Sequence, residues 1–299
     1  MKQESSKLAA IVLPTGPGKD ATLDTLASIE YYCPEPHIVV VIDDCTQDGT
    51  YEAISANRRD HWHVLRNKRP MGVARLVHSL CTAYRFVLEQ TKCNLILRLD
   101  QDALLIRSGV LTDAFGYAGA NSSVGLFGVY EHDYNRDRAF QMHTTLMTRE
   151  VGWPRNLLGL MPSWAPLLVK AEMLGYRRGD NVFGGAYFLT RDCLVGMRQI
   201  GALDVPYRWH SRLMEDVYFS MAAVAAGYKL GHFAAPEGPL CLEWRGLPYP
   251  AEKMLAAGYK VVHSVDKGKN TDRGANDGRT AREVFRSLRT LGRHGSQIN

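Results

Sequence analysis

Two pairs of carboxylates stand where this chain could do chemistry. Asp100 and Asp102 sit one residue apart in LRLDQDALL, at the end of a run that otherwise reads as buried strand. An unpaired charge left there costs several kcal/mol, so the pair calls for something positive. Asp-x-Asp at a strand end suits a hard divalent cation: carboxylates supply the charged oxygens that Mg2+ or Mn2+ prefers and leave the other positions to water and phosphate. Glu215 and Asp216 open the helical segment EDVYFSMAAVAAG. Acids in that place complement the positive end of the helix dipole, and a carboxylate there can also take a proton from a reacting group. A third pair, Asp43 and Asp44, follows HIVVVI, and His263 closes KVVH ahead of a stretch rich in Gly, Asn and Asp.

The elements that must hold these residues alternate. Residues 8–13, 37–42, 62–65 and 95–99 read as strands, while residues 23–29 and 72–88 carry helical apolar spacing. Continuous apolar strands separated by helices predict an α/β fold, a mostly parallel Rossmann-like sheet covered on both faces. Ligands of such sheets bind beyond the carboxyl ends of the strands, where Pro14 and Thr15, Asp43 and Asp44, and Asp100 and Asp102 all fall. The second half reads as strands at 124–130, 140–147 and 182–189, with helices at 191–200 and 213–227. The expected organisation is one domain with an inserted lobe: a nucleotide-binding half (1–120), an acceptor half (121–265), and a basic lid with a closing helix (266–299).

Composition narrows the classes. The 299 residues are 45% hydrophobic and 22% charged, an ordinary globular balance. No window approaches the run of about eighteen apolar residues that a membrane span needs, and the apolar run at 8–13 is too short for a signal-peptide core. Six cysteines without a C-x-x-C pair read as reduced thiols, which points to the cytoplasm. From Lys260 onward nine basic residues face four acidic ones, so the surplus charge is confined to the end of the chain. Arg282, Arg286, Arg289 and Arg293 recur there at helical spacing as one basic stripe. That pattern predicts a local anionic partner, a phosphorylated ligand or the inner face of a membrane, rather than nucleic acid. The segment LLGLMPSWAPLLV adds an apolar stretch that could seat a lipid-linked acceptor or touch a membrane surface peripherally. Trp153, Trp164 and Trp209 are candidate platforms for sugar stacking.

Taken in order, the motifs resemble those of nucleotide-sugar-dependent glycosyltransferases of the GT-A fold, most closely family 2. VVVIDDCTQDGT resembles the signature whose second aspartate recognises the nucleotide base, which falls on Asp44, with Asp43, Pro14 and Thr15 lining the same pocket. RNKRPMGVARLVHSL resembles the next segment and implies that Gly72 and Arg75 lie near the nucleotide, although Leu76 stands where that family usually has Asn. LRLDQDALL resembles Leu-Asp-x-Asp, implying that Asp100 and Asp102 hold the metal that bridges the donor diphosphate, with Gln101 beside them. FGGAYFLTRDCL resembles the strand whose glycines, here Gly184 and Gly185, let the backbone approach the donor sugar. RLMEDVYF resembles the acidic helix start that assigns Asp216 as catalytic base with Glu215 next to it. The resemblance also implies His263 as a third metal ligand, and an imidazole favours Mn2+ over Mg2+. Lys267, Lys269 and Arg273 would form a lid over the diphosphate.

The implied activity is a metal-dependent, inverting, non-processive transfer of a sugar from a UDP-sugar to an acceptor hydroxyl on a sugar or lipid-linked glycan, as in polysaccharide or glycoconjugate synthesis. Two alternatives stay open: a catalytically inactive carbohydrate- or nucleotide-binding module, and a sugar-nucleotide pyrophosphorylase. The latter is expected to carry a Gly-rich basic loop after the first strand, of which PTGPGKDAT is a poor version. GPGK also lacks the spacing of a phosphate loop, and no Gln-x-x-Arg-Trp motif of a processive synthase is present.

Overall fold

Four strands open the chain, and the three that are almost all apolar, the first, second and fourth, lie inside the sheet while the third forms its edge. They are β1 (Ala9–Thr15), β2 (His37–Asp43), β3 (Trp62–Arg66) and β4 (Leu95–Leu99) in a computed structural model describing residues 8–130, 136–206, 211–234, 238–244, 246–266 and 280–295. The remaining strands are β5 (Ala103–Leu105), β6 (Val124–Gly128), β7 (Ala186–Thr190), β8 (Lys229–His232), β9 (Leu240–Leu242) and β10 (Val261–His263). Between them lie α1 (Lys19–Tyr32), α2 (Thr50–Ala56), α3 (Leu76–Gln90, after a 3-10 turn at Val73–Arg75) and α4 (Val110–Ala120). An inserted lobe carries α5 (Arg136–Glu150), α6 (Trp153–Leu157) and α7 (Ala165–Met173). The rest are α8 (Arg191–Gln199), α9 (Glu215–Ala225), α10 (Ala251–Ala256) and α11 (Ala281–Gly295).

Seven strands form the main sheet in the order β3-β2-β1-β4-β7-β6-β8, all parallel except β7, which runs against both β4 and β6. This is the mostly parallel, helix-flanked sheet that the sequence predicts. Successive residues alternate faces. Ala10, Val12, Val40, Ile42 and Ile96 meet α3, α7, α8 and α9, whereas Ile11, Leu13, Val39, Val41, Leu95 and Leu97 meet α1, α2 and α4. Burying both faces explains why the strands are continuous apolar runs. A small second sheet, β5-β10-β9, packs beneath α10 and α11.

Register sets the site. Thr15 pairs with Asp43, so β1 and β2 end together, and the antiparallel β7 starts at Ala186 opposite Leu99, on the same rim. In the small sheet His263 pairs with Ala103, one residue beyond Asp102.

Several sequence expectations change. Residues 140–147 form helix, not strand: within α5, His143, Met147 and Glu150 are buried at spacings of four and three, and a helical period outweighs the β-branched pair Thr144-Thr145. The strand expected at 182–189 starts only at Ala186, because residues 182–185 turn into the site. Two arginines of the basic stripe turn inward: Arg282 and Arg289 are buried, and both, with the half-exposed Arg286, bond Asp24 of α1. Trp164 is a core residue whose indole donates to Ser211 Oγ, so it offers no open platform, whereas Trp153 is exposed. Trp209, Lys267, Lys269 and Arg273 lie outside the described residues. All six cysteines are free thiols. Among the described residues no helix is long and apolar enough to cross a membrane.

Candidate metal and catalytic site

The site begins with β4. Its apolar alternation is broken by Arg98, which falls on the α3/α9 face and is completely buried. Its guanidinium lies 5.6 Å from the Tyr187 ring and finds two carboxylates: Nη2 is 2.7 Å from Asp100 Oδ1 and 2.9 Å from Glu215 Oε1. One buried cation therefore links the strand end to the start of α9. Sequence reasoning missed Arg98, though an arginine inside LILRL is the signal that could have found it.

Past the strand the backbone turns, with Asp100 N donating to Gly185 O and Ala103 N donating to Asp100 O. The Asp100 carboxylate is held on one side by Arg98, and its other oxygen faces His263 Nε2 at 3.7 Å. Asp102 Oδ1 is 3.1 Å from the same nitrogen, while Asp102 Oδ2 accepts from Ser264 Oγ at 2.8 Å. Asp100, Asp102 and His263 each offer a ligand atom, and these atoms lie within 4.8 Å of one another. His263 is buried, yet neither ring nitrogen has a hydrogen-bond partner. Two carboxylates and an orphaned imidazole fit a divalent cation such as Mn2+.

Gly184 and Gly185 join this cluster to the second acidic pair. Gly184 N donates to Asp216 Oδ2, as does Asn181 Nδ2. Gly185 has φ +91°, and a Cβ there would come within 2.8 Å of His263 Cγ, so only glycine fits. One turn thus touches Asp216 on one side and the Asp100–His263 cluster on the other. Asp216 Oδ1 also accepts from Val217 N, so the first turn of α9 helps fix the orientation of this carboxylate. Glu215 differs: its carboxyl is buried against Arg98, Oε2 lacks a partner, and burial pushes its pKa up to about 7 against the pull of Arg98. It braces the site rather than facing it. His143 of α5 is also buried and within electrostatic reach of Asp216; burial pushes its pKa down and Asp216 pulls it up. Reading residues 140–147 as a strand hid this histidine.

The remaining candidates line the same rim. Gln101 closes the β1–α1 turn, its Oε1 accepting from Gly16 N and its Nε2 donating to Pro17 O. Thr15, which follows Pro14, is buried with an unpartnered Oγ1, and its carbonyl accepts from Asp44 N. The Asp44 carboxylate accepts from Asn67 Nδ2, Met71 N and Gly72 N, which anchors the loop leading into Arg75. Asp43 is fully buried and taken up by Thr46 and Arg66.

No protein-family model matches the chain, and no curated protein matches it. Among solved structures it is similar to the mannosyltransferase PcManGT from Pyrobaculum calidifontis in complex with GDP-Man and Mn2+, at 16% identity and a TM-score of 0.47. That match covers 76% of this chain but only 55% of the other, so the chain spans about half of that structure. A likeness this distant says nothing of activity or substrate.

Proposed function

We propose that the protein is a divalent-metal-dependent glycosyltransferase that moves a sugar from a nucleotide-sugar donor, a UDP-sugar by its motif resemblance, to an acceptor hydroxyl. The observation that carries this reading is the Gly184-Gly185 turn, which holds a two-carboxylate, one-imidazole cation site and a separate helix-start carboxylate on its two sides. Asp100, Asp102 and His263 would hold the cation. When bound it supplies the positive charge that offsets a departing diphosphate.

The chain's own residues do the rest. Asp44 and Thr15, with Pro14 beside them, form a rim able to receive a nucleoside, and Gly72 and Arg75 border it. The backbone at Gly184 and Gly185, bare of side chains, admits the donor sugar. Asp216, held by two donors that keep one oxygen oriented, takes the proton of the acceptor hydroxyl. With the base and the diphosphate on opposite sides of the sugar, attack is in line and inverts the anomeric centre. Exposed apolar side chains of the inserted lobe, Trp153, Leu157, Leu158, Val169 and Met173, support a lipid-linked acceptor or a membrane surface near the site.

The test is a thermal-shift and transfer panel of UDP-, GDP- and dTDP-sugars with and without Mn2+. One donor should raise the melting temperature only with the metal. The variant Asp216→Asn should keep that shift and lose transfer. If no donor shifts the transition, the proposal fails; a shift without turnover in the unaltered chain favours a binding module instead.

A further inference from the structure

At the opposite rim of the sheet, where β2 and β3 begin, three other side chains converge. Glu30 comes from the last turn of α1, His37 is the first residue of β2, and His61 immediately precedes β3. Each offers a ligand atom, and the three atoms lie within 4.8 Å of one another. His61 Nε2 is 2.8 Å from Glu30 Oε1, and the two imidazole rings meet edge to face with centroids 5.2 Å apart.

His37 makes the cluster more than an ion pair. Its Nδ1 lies 2.8 Å from the carbonyl oxygen of Glu35. A carbonyl can only accept, so Nδ1 carries the proton and, in the neutral ring, Nε2 carries the lone pair. That Nε2 is buried and has no partner. An imidazole whose distal N–H is fixed by a backbone carbonyl while its other nitrogen waits as a bare acceptor has the arrangement that orients histidines on metals. The Glu35 carboxylate is turned away from the cluster, its Oε1 accepting from Thr112 N and Oγ1, so only the Glu35 carbonyl serves to orient His37. Glu30 Oε2 pairs with Arg59, a half-exposed side chain that also lies 6.0 Å from the Trp62 ring, and Glu30 Oε1 accepts from Trp62 Nε1.

We propose that Glu30, His37 and His61 form a second metal site, selective for a borderline cation of the Zn2+ type, which ties the end of α1 to the starts of β2 and β3. Two nitrogens and one carboxylate oxygen, with water completing a tetrahedron, form a zinc donor set. The rim around Asp100 has the opposite balance, two carboxylates to one imidazole, and suits a harder ion. Ligands at about 2.0–2.1 Å from a tetrahedral ion stand a little over 3 Å apart, so His61 and Glu30 need only separate slightly.

The experiment uses the full chain carrying Asp102→Asn, which disables the other cluster, under a non-chelating reductant. Zn2+ is titrated calorimetrically, and Co2+ is titrated in parallel by visible absorption. One equivalent of Zn2+ should bind, and Co2+ should give d–d bands of a nitrogen and oxygen site without thiolate charge transfer. Adding either His37→Gln or His61→Gln should weaken Zn2+ binding by more than about tenfold, while circular dichroism reports an intact metal-free fold. Both imidazoles are partly accessible, and if one variant unfolds the other still decides. Binding of equal strength in the histidine variants, thiolate bands that survive them, or no Zn2+ uptake by the Asp102→Asn chain would each overturn the site.

Discussion

Two clusters of arginine and carboxylate lie in this molecule with opposite stoichiometry. At the end of β4 one buried arginine, Arg98, serves two acids, Asp100 and Glu215, with Asp102 and Asp216 close by. Between α1 and α11 one buried acid, Asp24, serves three arginines, Arg282, Arg286 and Arg289. The second cluster relieves its surplus locally, since Arg282 also pairs with Asp266 and the Arg286 side chain is 48% exposed. The first gathers its surplus at the rim, where Asp100 Oδ2 and Asp102 Oδ1 both face His263 Nε2, an excess of acid that an added cation would offset. The contrast separates a staple from a site: a buried acid shared by three arginines holds α11 down, and acids gathered about one imidazole mark where chemistry is proposed.

The comparison can be broken most severely at the acid-rich side. Asp216→Asn should lower transfer by about 10^2–10^4-fold, the range for losing a positioned proton acceptor, and keep donor binding, whereas Asp102→Asn should lose both transfer and Mn2+-dependent donor binding. A next, smaller effect separates the two clusters by what the stranded partner can do. Asp24→Asn leaves Arg289 buried without its counter-ion, and a guanidinium cannot shed its proton, so the chain should lose about 3–5 kcal/mol by denaturant titration. Arg98→Met strands carboxylates instead, and Glu215 can take up a proton. Its cost should therefore be smaller than that of Asp24→Asn at pH 6, and pairing it with Glu215→Gln should recover part of it. The reverse ranking would refute this account of the asymmetry.

The subtlest effect is one of pH. Burial raises the Glu215 pKa to about 7, above its ordinary value of about 4.3. Between those values the folded chain binds the extra proton, so this group's stabilising contribution is complete below about pH 4 and is lost as pH rises through about 7. In chelator, the unfolding midpoint of the native chain relative to Glu215→Gln should fall across that window. A constant difference between the two proteins would show that Glu215 does not titrate there.

Much of the fold could be read from local pattern. HIVVVID and LILRLD announce buried strands that end in acids, because strand burial and strand termination are written within a few residues. Where the reading failed, at residues 140–147, β-branched residues competed with a helical period whose buried face appears only when α5 packs on the core. The arginines of α11 show the same limit: their spacing was visible, but not that Asp24, more than 250 residues earlier, would draw them inward.

What the sequence alone determined is the alternation of strand and helix and the placing of acidic pairs at strand and helix ends. Periodicity and turn chemistry are short-range, so neighbouring residues suffice to specify them. Only the tertiary structure decided which charges face one another: that His263 stands beside Asp102, that Arg98 bridges β4 to α9, and that Glu215 turns inward while Asp216 stays partly open. Those pairings depend on which groups lose their water together, and desolvation is a property of the packed chain rather than of any segment of it.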